Sequence, residues 1–271
     1  MKVKEIPVSL FNQARLTWQS RKKLEAGKEI IPVVVSLASI PSRLGIVHIT
    51  VRSILDQIVL PEKIVLWLHQ DLKSSIPKKL SELTGERFSI QFTSYSSSHR
   101  KLVEPLQIYP NKVIITCDDD MMYRKNWLSN LYKAHLENPD CVIGNQTRCI
   151  TYDGKNELLP YKNWSSGTVT CPNPKAILPI GAGGTLYPPN SLDGQVFDQE
   201  LFLKLTPKAD DLWFKAMSLL KETRSIKSTY PIEEPIPIWG SQKVSLKKTN
   251  IEGDKNRTQW LALTHYFKLK F

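Results

Sequence analysis

Five carboxylates in two clusters are the residues of this chain best suited to chemistry. Asp118, Asp119 and Asp120 close the apolar run Val113-Ile114-Ile115-Thr116-Cys117, and Asp210 with Asp211 opens a helical pattern that continues to Leu220. Three adjacent like charges repel, so something should neutralise them. A hard divalent cation takes oxygen ligands and bridges to phosphates, which suits the first cluster. Side chains alternate along extended chain, which would turn Asp118 and Asp120 to one side and Asp119 to the other. The competing reading of the triplet is a solvated acidic turn. Acidic residues also favour a helix N-terminus electrostatically, which is one role for Asp210 and Asp211. The other is that one of them is a general base, placed to take the proton of an incoming hydroxyl.

Further candidates surround these clusters. Arg100 and Lys101 precede the triplet and could meet a diphosphate, because guanidinium and ammonium groups are the usual phosphate partners. Gly181, Gly183 and Gly184 permit close backbone approach to a ligand or simply make a turn. The order strand, GxGxxG, helix is absent, so no dinucleotide fingerprint is present, and there is no GxxxxGK[ST] loop. His135 lies on an amphipathic pattern and reads as packing, and His265 has no second ligand spaced with it.

These residues must be carried by a regular frame. Ile30 to Leu37 is a short apolar run and predicts a first strand, followed by a turn at Ser39-Ile40-Pro41-Ser42. Leu44, Val47, Val51, Ile54, Leu55 and Ile58 keep helical spacing. Lys63 to Leu68 predicts a second strand, Leu72 to Leu83 a helix, Phe88 to Phe92 a third strand, and His99 to Ile108 a helix that tolerates Pro105. Val113 to Cys117 is then a fourth, buried strand. The succession βαβαβαβ implies a parallel sheet with right-handed crossovers. The triplet therefore falls at the carboxyl ends of the strands, where open α/β sheets bind ligands. Asn126 could cap a helix carrying Leu128, Leu131, Tyr132 and His135. Strand character resumes over Asp140 to Ile150, and Ile232 to Trp239 predicts an edge strand or extended segment. From Thr151 onward, Asp153-Gly154, Ser165-Ser166-Gly167, Pro172 and Pro174 mark a loop-rich, mixed second half.

Bulk properties narrow the class. In 271 residues, 41% are hydrophobic and 23% charged, which allows one large α/β domain or a domain plus appendage and excludes wholesale disorder. The expected organisation is an N-terminal extension over 1–29, a main domain over 30–240 divided at 123/124, and a basic segment over 241–271. The net charge of +11 favours anionic partners such as nucleotides, nucleic acid or an acidic membrane surface. No helix carries a dense Lys/Arg stripe, so no nucleic-acid partner is expected. None of Cys117, Cys141, Cys149 and Cys171 forms a CxxC pair, no signal-peptide core follows Met1, and Ile30 to Ile40 is about half a membrane span. A cytoplasmic, reduced protein without structural disulfides is the expectation.

Taken together, the residues resemble the glycosyltransferases of GT-A fold, most closely the inverting family-two type. Three places match in order: Val33 to Arg43 with Ser53-Ile54-Leu55-Asp56-Gln57, the DxD-like Asp118-Asp119-Asp120, and Asp210-Asp211 before Leu212-Trp213. The resemblance spans about Ile31 to Leu220 and implies an α/β, Rossmann-like, mostly parallel sheet flanked by helices, divided at 123/124 into a nucleotide-binding half and an acceptor half. By it, Ser36, Ala38 and Arg43 would border the base and ribose, and Lys101 the diphosphate. Asp118 would touch the ribose or sugar and Asp120 would hold Mn²⁺ or Mg²⁺, with Asp119 in the same cofactor-binding motif. Gly183 and Gly184 would lie beside the donor sugar, and Asp211, with Asp210 second, would supply the base. The implied reaction is transfer from a UDP-sugar to a glycan or lipid-linked acceptor in bacterial surface polysaccharide synthesis, with peripheral contact of the basic tail to an anionic membrane. The turn Ala38-Ser39-Ile40-Pro41 departs from the Tyr-Asn pair common in that family. Alternatives are a haloacid-dehalogenase-type phosphatase with Asp118 as nucleophile and a non-enzymatic basic nucleic-acid binder. A sugar nucleotidyltransferase shares the architecture, but Ala38 to Leu44 contains no glycine for its expected loop.

Overall fold

The computed structural model describes residues 5–166, 171–230, 233–241 and 253–270. A seven-stranded sheet forms the centre, in the order β3 (Phe88–Thr93), β2 (Leu60–His69), β1 (Ile30–Ala38), β4 (Val113–Cys117), β10 (Thr185–Tyr187), β6 (Val142–Gly144) and β11 (Ser225–Lys227). β1 pairs in parallel with β2 and β4, β2 with β3, and β6 with β11, while β10 runs antiparallel between β4 and β6. The expected Rossmann-like, mostly parallel α/β architecture is therefore the observed one.

The hydrophobic runs are explained by burial on both sheet faces. Val33, Val35, Leu37, Ile115 and Leu186 pack on one face with α3 (Val47–Leu55) and α6 (Trp127–Glu137). Val34, Ile114 and Tyr187 point the other way, into a core with Leu102 of α5 (Arg100–Ile108), Trp213 of α8 (Asp210–Leu220) and Trp260 of α9 (Lys255–Phe267).

Several expectations are corrected. The helix expected over Leu72 to Leu83 divides into a 3₁₀ turn, Gln70–Ser75, and the short α4 (Lys78–Ser81). Pro77 between them has no N–H to continue the ladder. The helix expected from Leu44 begins only at Val47, after a 3₁₀ turn over Pro41–Arg43. Asn126 precedes α6 but makes no side-chain cap. The strand expected over Asp140 to Ile150 breaks into β6 and β7 (Thr147–Cys149), which joins β8 (Ser165–Ser166) and β9 (Ile177–Pro179) in a separate small sheet. The extended segment expected to Trp239 contributes β12 (Ile236–Pro237), paired with β5 (Met121–Met122). β10 was not expected as a strand, because three residues carry no readable period.

The described part of the expected N-terminal extension forms two packed helices. α1 (Ile6–Trp18) buries Leu16 against Ile49, Met122, Ile236 and Ile238. Its Ser9 Oγ donates to the Pro237 carbonyl at 2.7 Å and accepts the Trp239 N–H at 3.0 Å. α2 (Arg21–Glu25) follows after a break at Gln19. Of the basic C-terminal segment, 242–252 lies outside the described residues, while α9 packs Trp260 and Leu263 into the core.

The expectation of no structural disulfide is corrected: Cys149 and Cys171 are bonded, with Cα atoms 5.4 Å apart, while Cys117 and Cys141 are free and buried. Local spacing does not reveal a pair 22 residues apart, whereas β7 delivers Cys149 to the Cys171 loop. The cytoplasmic expectation loses the cysteine support it rested on. No helix among the described residues is long and apolar enough to cross a membrane.

Candidate active site

The two carboxylate clusters meet. β4 ends at Cys117, and the triplet follows at the carboxyl edge of the sheet. The antiparallel β10 starts from that same edge, so the preceding 3₁₀ turn Gly181–Gly183 lies beside the triplet. α8 brings its first turn to the other side. Lys101, buried near the start of α5, joins the clusters: its Nζ stands 3.1 Å from Asp118 Oδ1 and 2.9 Å from Asp210 Oδ2. Asp210 Oδ1 also accepts the Ser98 hydroxyl at 2.9 Å. Asp211 accepts the Gly181 N–H at 3.2 and 3.1 Å through its two oxygens.

The expected alternation within the triplet is corrected. Asp119 and Asp120 act together: Arg43 donates from Nη1 to Asp119 at 2.6 Å and lies with Nη2 2.9 Å from Asp120. Asp118 stands apart with Lys101 and is the most open of the three, at 35% exposure. The chain turns at Asp119-Asp120, so the two-residue period of a strand ends at Cys117.

The other expected site residues divide. Arg43, Asp119 and Asp120 form one ion-paired group and Lys101, Asp118 and Asp210 a second, with Asp211 beside the latter at Gly181. Ser36 is corrected as a ligand contact: it is fully buried in β1, where its Oγ accepts the Trp67 indole N–H at 3.0 Å. β1 runs on past it, to a half-buried Ala38. The residue at the strand edge is Ser39, whose hydroxyl donates to Asp119. Gly183 and Gly184 lie in the adjoining turn, packed on protein rather than turned to the carboxylates. A Cβ on Gly183 would stand 2.6 Å from Gln146 Cγ, and one on Gly184, at φ +92°, 2.5 Å from Trp127 Nε1. The glycine against the cluster is Gly181, where a Cβ would meet Lys101 Nζ at 2.8 Å and Asp211 Oδ1 at 2.9 Å.

Sequence reasoning missed the supporting residues. Tyr123 Oη accepts the Asp118 N–H at 2.9 Å and donates to the Ala182 carbonyl at 3.2 Å, tying triplet to glycine turn. Trp127 donates to the Gly183 carbonyl at 2.8 Å. His99 is buried and stacked at 4.3 Å on Phe202 of α7 (Gln199–Leu205), anchoring the start of α5. Only the position of Tyr123 just after the triplet was a signal; Trp127 is distant in sequence from the glycine turn it serves, and Gly181 was legible only as one of three glycines in its run.

Electrostatics follow from burial. Burial opposes the charge on Lys101, but Asp118, Asp210 and Asp211 outweigh it and hold the ammonium well above its ordinary range. Burial also raises Asp210, yet Lys101, His99 and Ser98 together keep it below the usual carboxylate range. Asp211 is pushed up to about 7 by burial, then by Asp210, against the pull of Lys101. Asp120 rises to about 7 through burial and Asp118, against Arg43. The carboxylates outnumber the two cations paired with them, so the cluster carries excess negative charge. That donor set fits a divalent cation held by one or two carboxylates and completed by a substrate phosphate. A dedicated all-protein cage does not fit: among the described residues no three His, Cys, Asp or Glu side chains converge for one.

No family model and no curated protein matches the chain. Among solved structures it is similar to a 4-diphosphocytidyl-2C-methyl-D-erythritol synthase from Anaerococcus prevotii. The identity is 11% and the TM-score 0.47, over 87% of this chain and 98% of that one. It is also similar to a CMP:2-keto-3-deoxy-manno-octonic acid synthetase complexed with CTP, at 12% identity and TM-score 0.39, over 74% and 90%. The expectation of a glycosyltransferase is corrected on this finding: both similar structures are named for making cytidine-nucleotide compounds, not for moving a sugar to a glycan.

Proposed function

We propose that this chain is a transferase acting at a phosphate of a nucleotide, bound at the carboxyl edge of β1 and β4. The observation that carries the reading is the buried ammonium of Lys101, shared between Asp118 and Asp210 and beside Asp211. A buried, obligatorily charged lysine at a ligand-binding sheet edge suits a phosphate, which it can bind by exchanging a carboxylate partner. Asp118 and Asp120 are the residues that would hold Mn²⁺ or Mg²⁺, and the ion would supply screening of phosphate charge.

The chain's own residues account for the rest. Arg43 and Ser39 hold Asp119, and Tyr123 holds the Asp118 backbone, so the triplet is rigid before substrate arrives. Preorganised charge of this kind costs no rearrangement during reaction. Asp211 faces the same space at a pKa of about 7, where a carboxylate takes a proton from an acceptor hydroxyl and sheds it readily. Asp210 stays ionised and keeps Lys101 in position.

A calorimetric panel of nucleoside di- and triphosphates with Mg²⁺ tests the reading, alongside ³¹P NMR of the products. Binding that falls about tenfold or more in Lys101→Met and Asp118→Asn is the expected result. Pyrophosphate among the products would identify nucleotidyl transfer. The reading is lost if no nucleotide binds, or if both variants bind as the native chain does.

A further inference from the structure

The N-terminal helix is turned the wrong way round for a surface helix. Pro7, Phe11, Ala14 and Trp18 recur at helical spacing along one stripe of α1, with Leu10 beside it. That stripe faces outward: Phe11 is 67% and Trp18 89% exposed, and Leu10 and Val8 are also exposed. Leu16 and the bonded Ser9 fix the opposite face to the body of the protein, so the stripe cannot be turned inward. A contiguous apolar stripe of this kind marks an interaction surface.

We propose that the outer stripe of α1 docks on an anionic lipid bilayer. The charge around it selects that partner. Lys22 and Lys23 of α2 are exposed a few residues beyond Trp18, and the first 29 residues carry seven Lys or Arg against three Glu. Phe, Leu and Trp on one face with lysines at its margin is the pattern of a helix lying in the membrane interface. A second copy would set like charges against each other, since each chain carries +11. An anionic bilayer answers both the apolar stripe and the lysines.

The test is flotation of the full chain with phosphatidylcholine vesicles, with and without phosphatidylglycerol. The native chain floats with the anionic vesicles and not with the neutral ones. The double variant Phe11→Glu/Trp18→Glu partitions at least about tenfold less, because two large apolar side chains no longer enter the interface. Lys22→Glu/Lys23→Glu partitions several-fold less, and added salt weakens the native chain in the same way. All these side chains are exposed, and circular dichroism checks that both variants keep the fold. The proposal is overturned if the native chain fails to float with anionic vesicles, or if the Phe11/Trp18 variant floats undiminished. It is equally overturned if sedimentation shows a dimer that this variant dissolves, with no vesicle binding.

Discussion

Asp211 and Gly181 show how little space separates a working group from a clash. Asp211 takes the Gly181 N–H, and its carboxyl titrates at about 7 because burial and Asp210 oppose its charge. Between the ordinary carboxylate range and 7, the folded chain holds a proton there that the unfolded chain has released. Stability from this group therefore falls as pH rises through that window. Asp211→Asn, neutral throughout, should melt about 3 °C or more above the native chain near pH 8, with the gain vanishing near pH 4. On the proposed role, the same variant should lose turnover at every pH, while the native chain loses it below about 7. Gly181→Ala places a methyl 2.8 Å from Lys101 Nζ. Nucleotide affinity should drop on the order of tenfold as Lys101 and Asp211 shift, with little change in the melt; calorimetry beside a thermal scan separates the two.

At the scale of elements, α8 couples the site to the core. Its first turn carries Asp210 and Asp211, with Lys215 about one turn and Met217 and Ser218 about two turns further along, all three buried. Lys215 donates to Ser225 Oγ of β11 at 3.1 Å, and burial pushes its ammonium down to about 7. Here the unfolded chain holds the extra proton, between about 7 and the ordinary lysine range, so the native chain gains stability as pH rises through that window. Lys215→Met removes the buried amine at similar volume. Melts across neutral to alkaline pH should show it more stable than the native chain near pH 7, and without that rise. The helical spacing of Leu212, Ala216, Leu219 and Leu220 made α8 legible from sequence. β10 was not legible, although it sits in the middle of the sheet and delivers Gly181. Its pairing partners, β4 and β6, lie far away along the chain, and three residues have no pattern of their own.

Across the whole molecule, the second half is tied together by the Cys149–Cys171 bond. Closing a loop with a sequence separation of 22 should contribute about 3 kcal/mol in the chain-entropy account. Reduction, or Cys149→Ser with Cys171→Ser, should lower Tm by roughly 6 °C or more in a calorimetric scan. An unchanged Tm would place the bond outside the cooperative unit.

The order of strands and helices through β4 was written in local pattern: β-branched runs, helical spacing and proline breaks act within a few residues, so sequence alone determined them. It also determined which residues carry charge, and that two acidic clusters flank a mostly parallel sheet. Only tertiary structure decided that Lys101 stands between Asp118 and Asp210, that Arg43 gathers Asp119 with Asp120, that Ser36 is sealed under Trp67, and that α1 shows its apolar side to solvent. Each depends on where distant segments come to rest, and burial, which the fold alone sets, then decides which carboxylate keeps its charge.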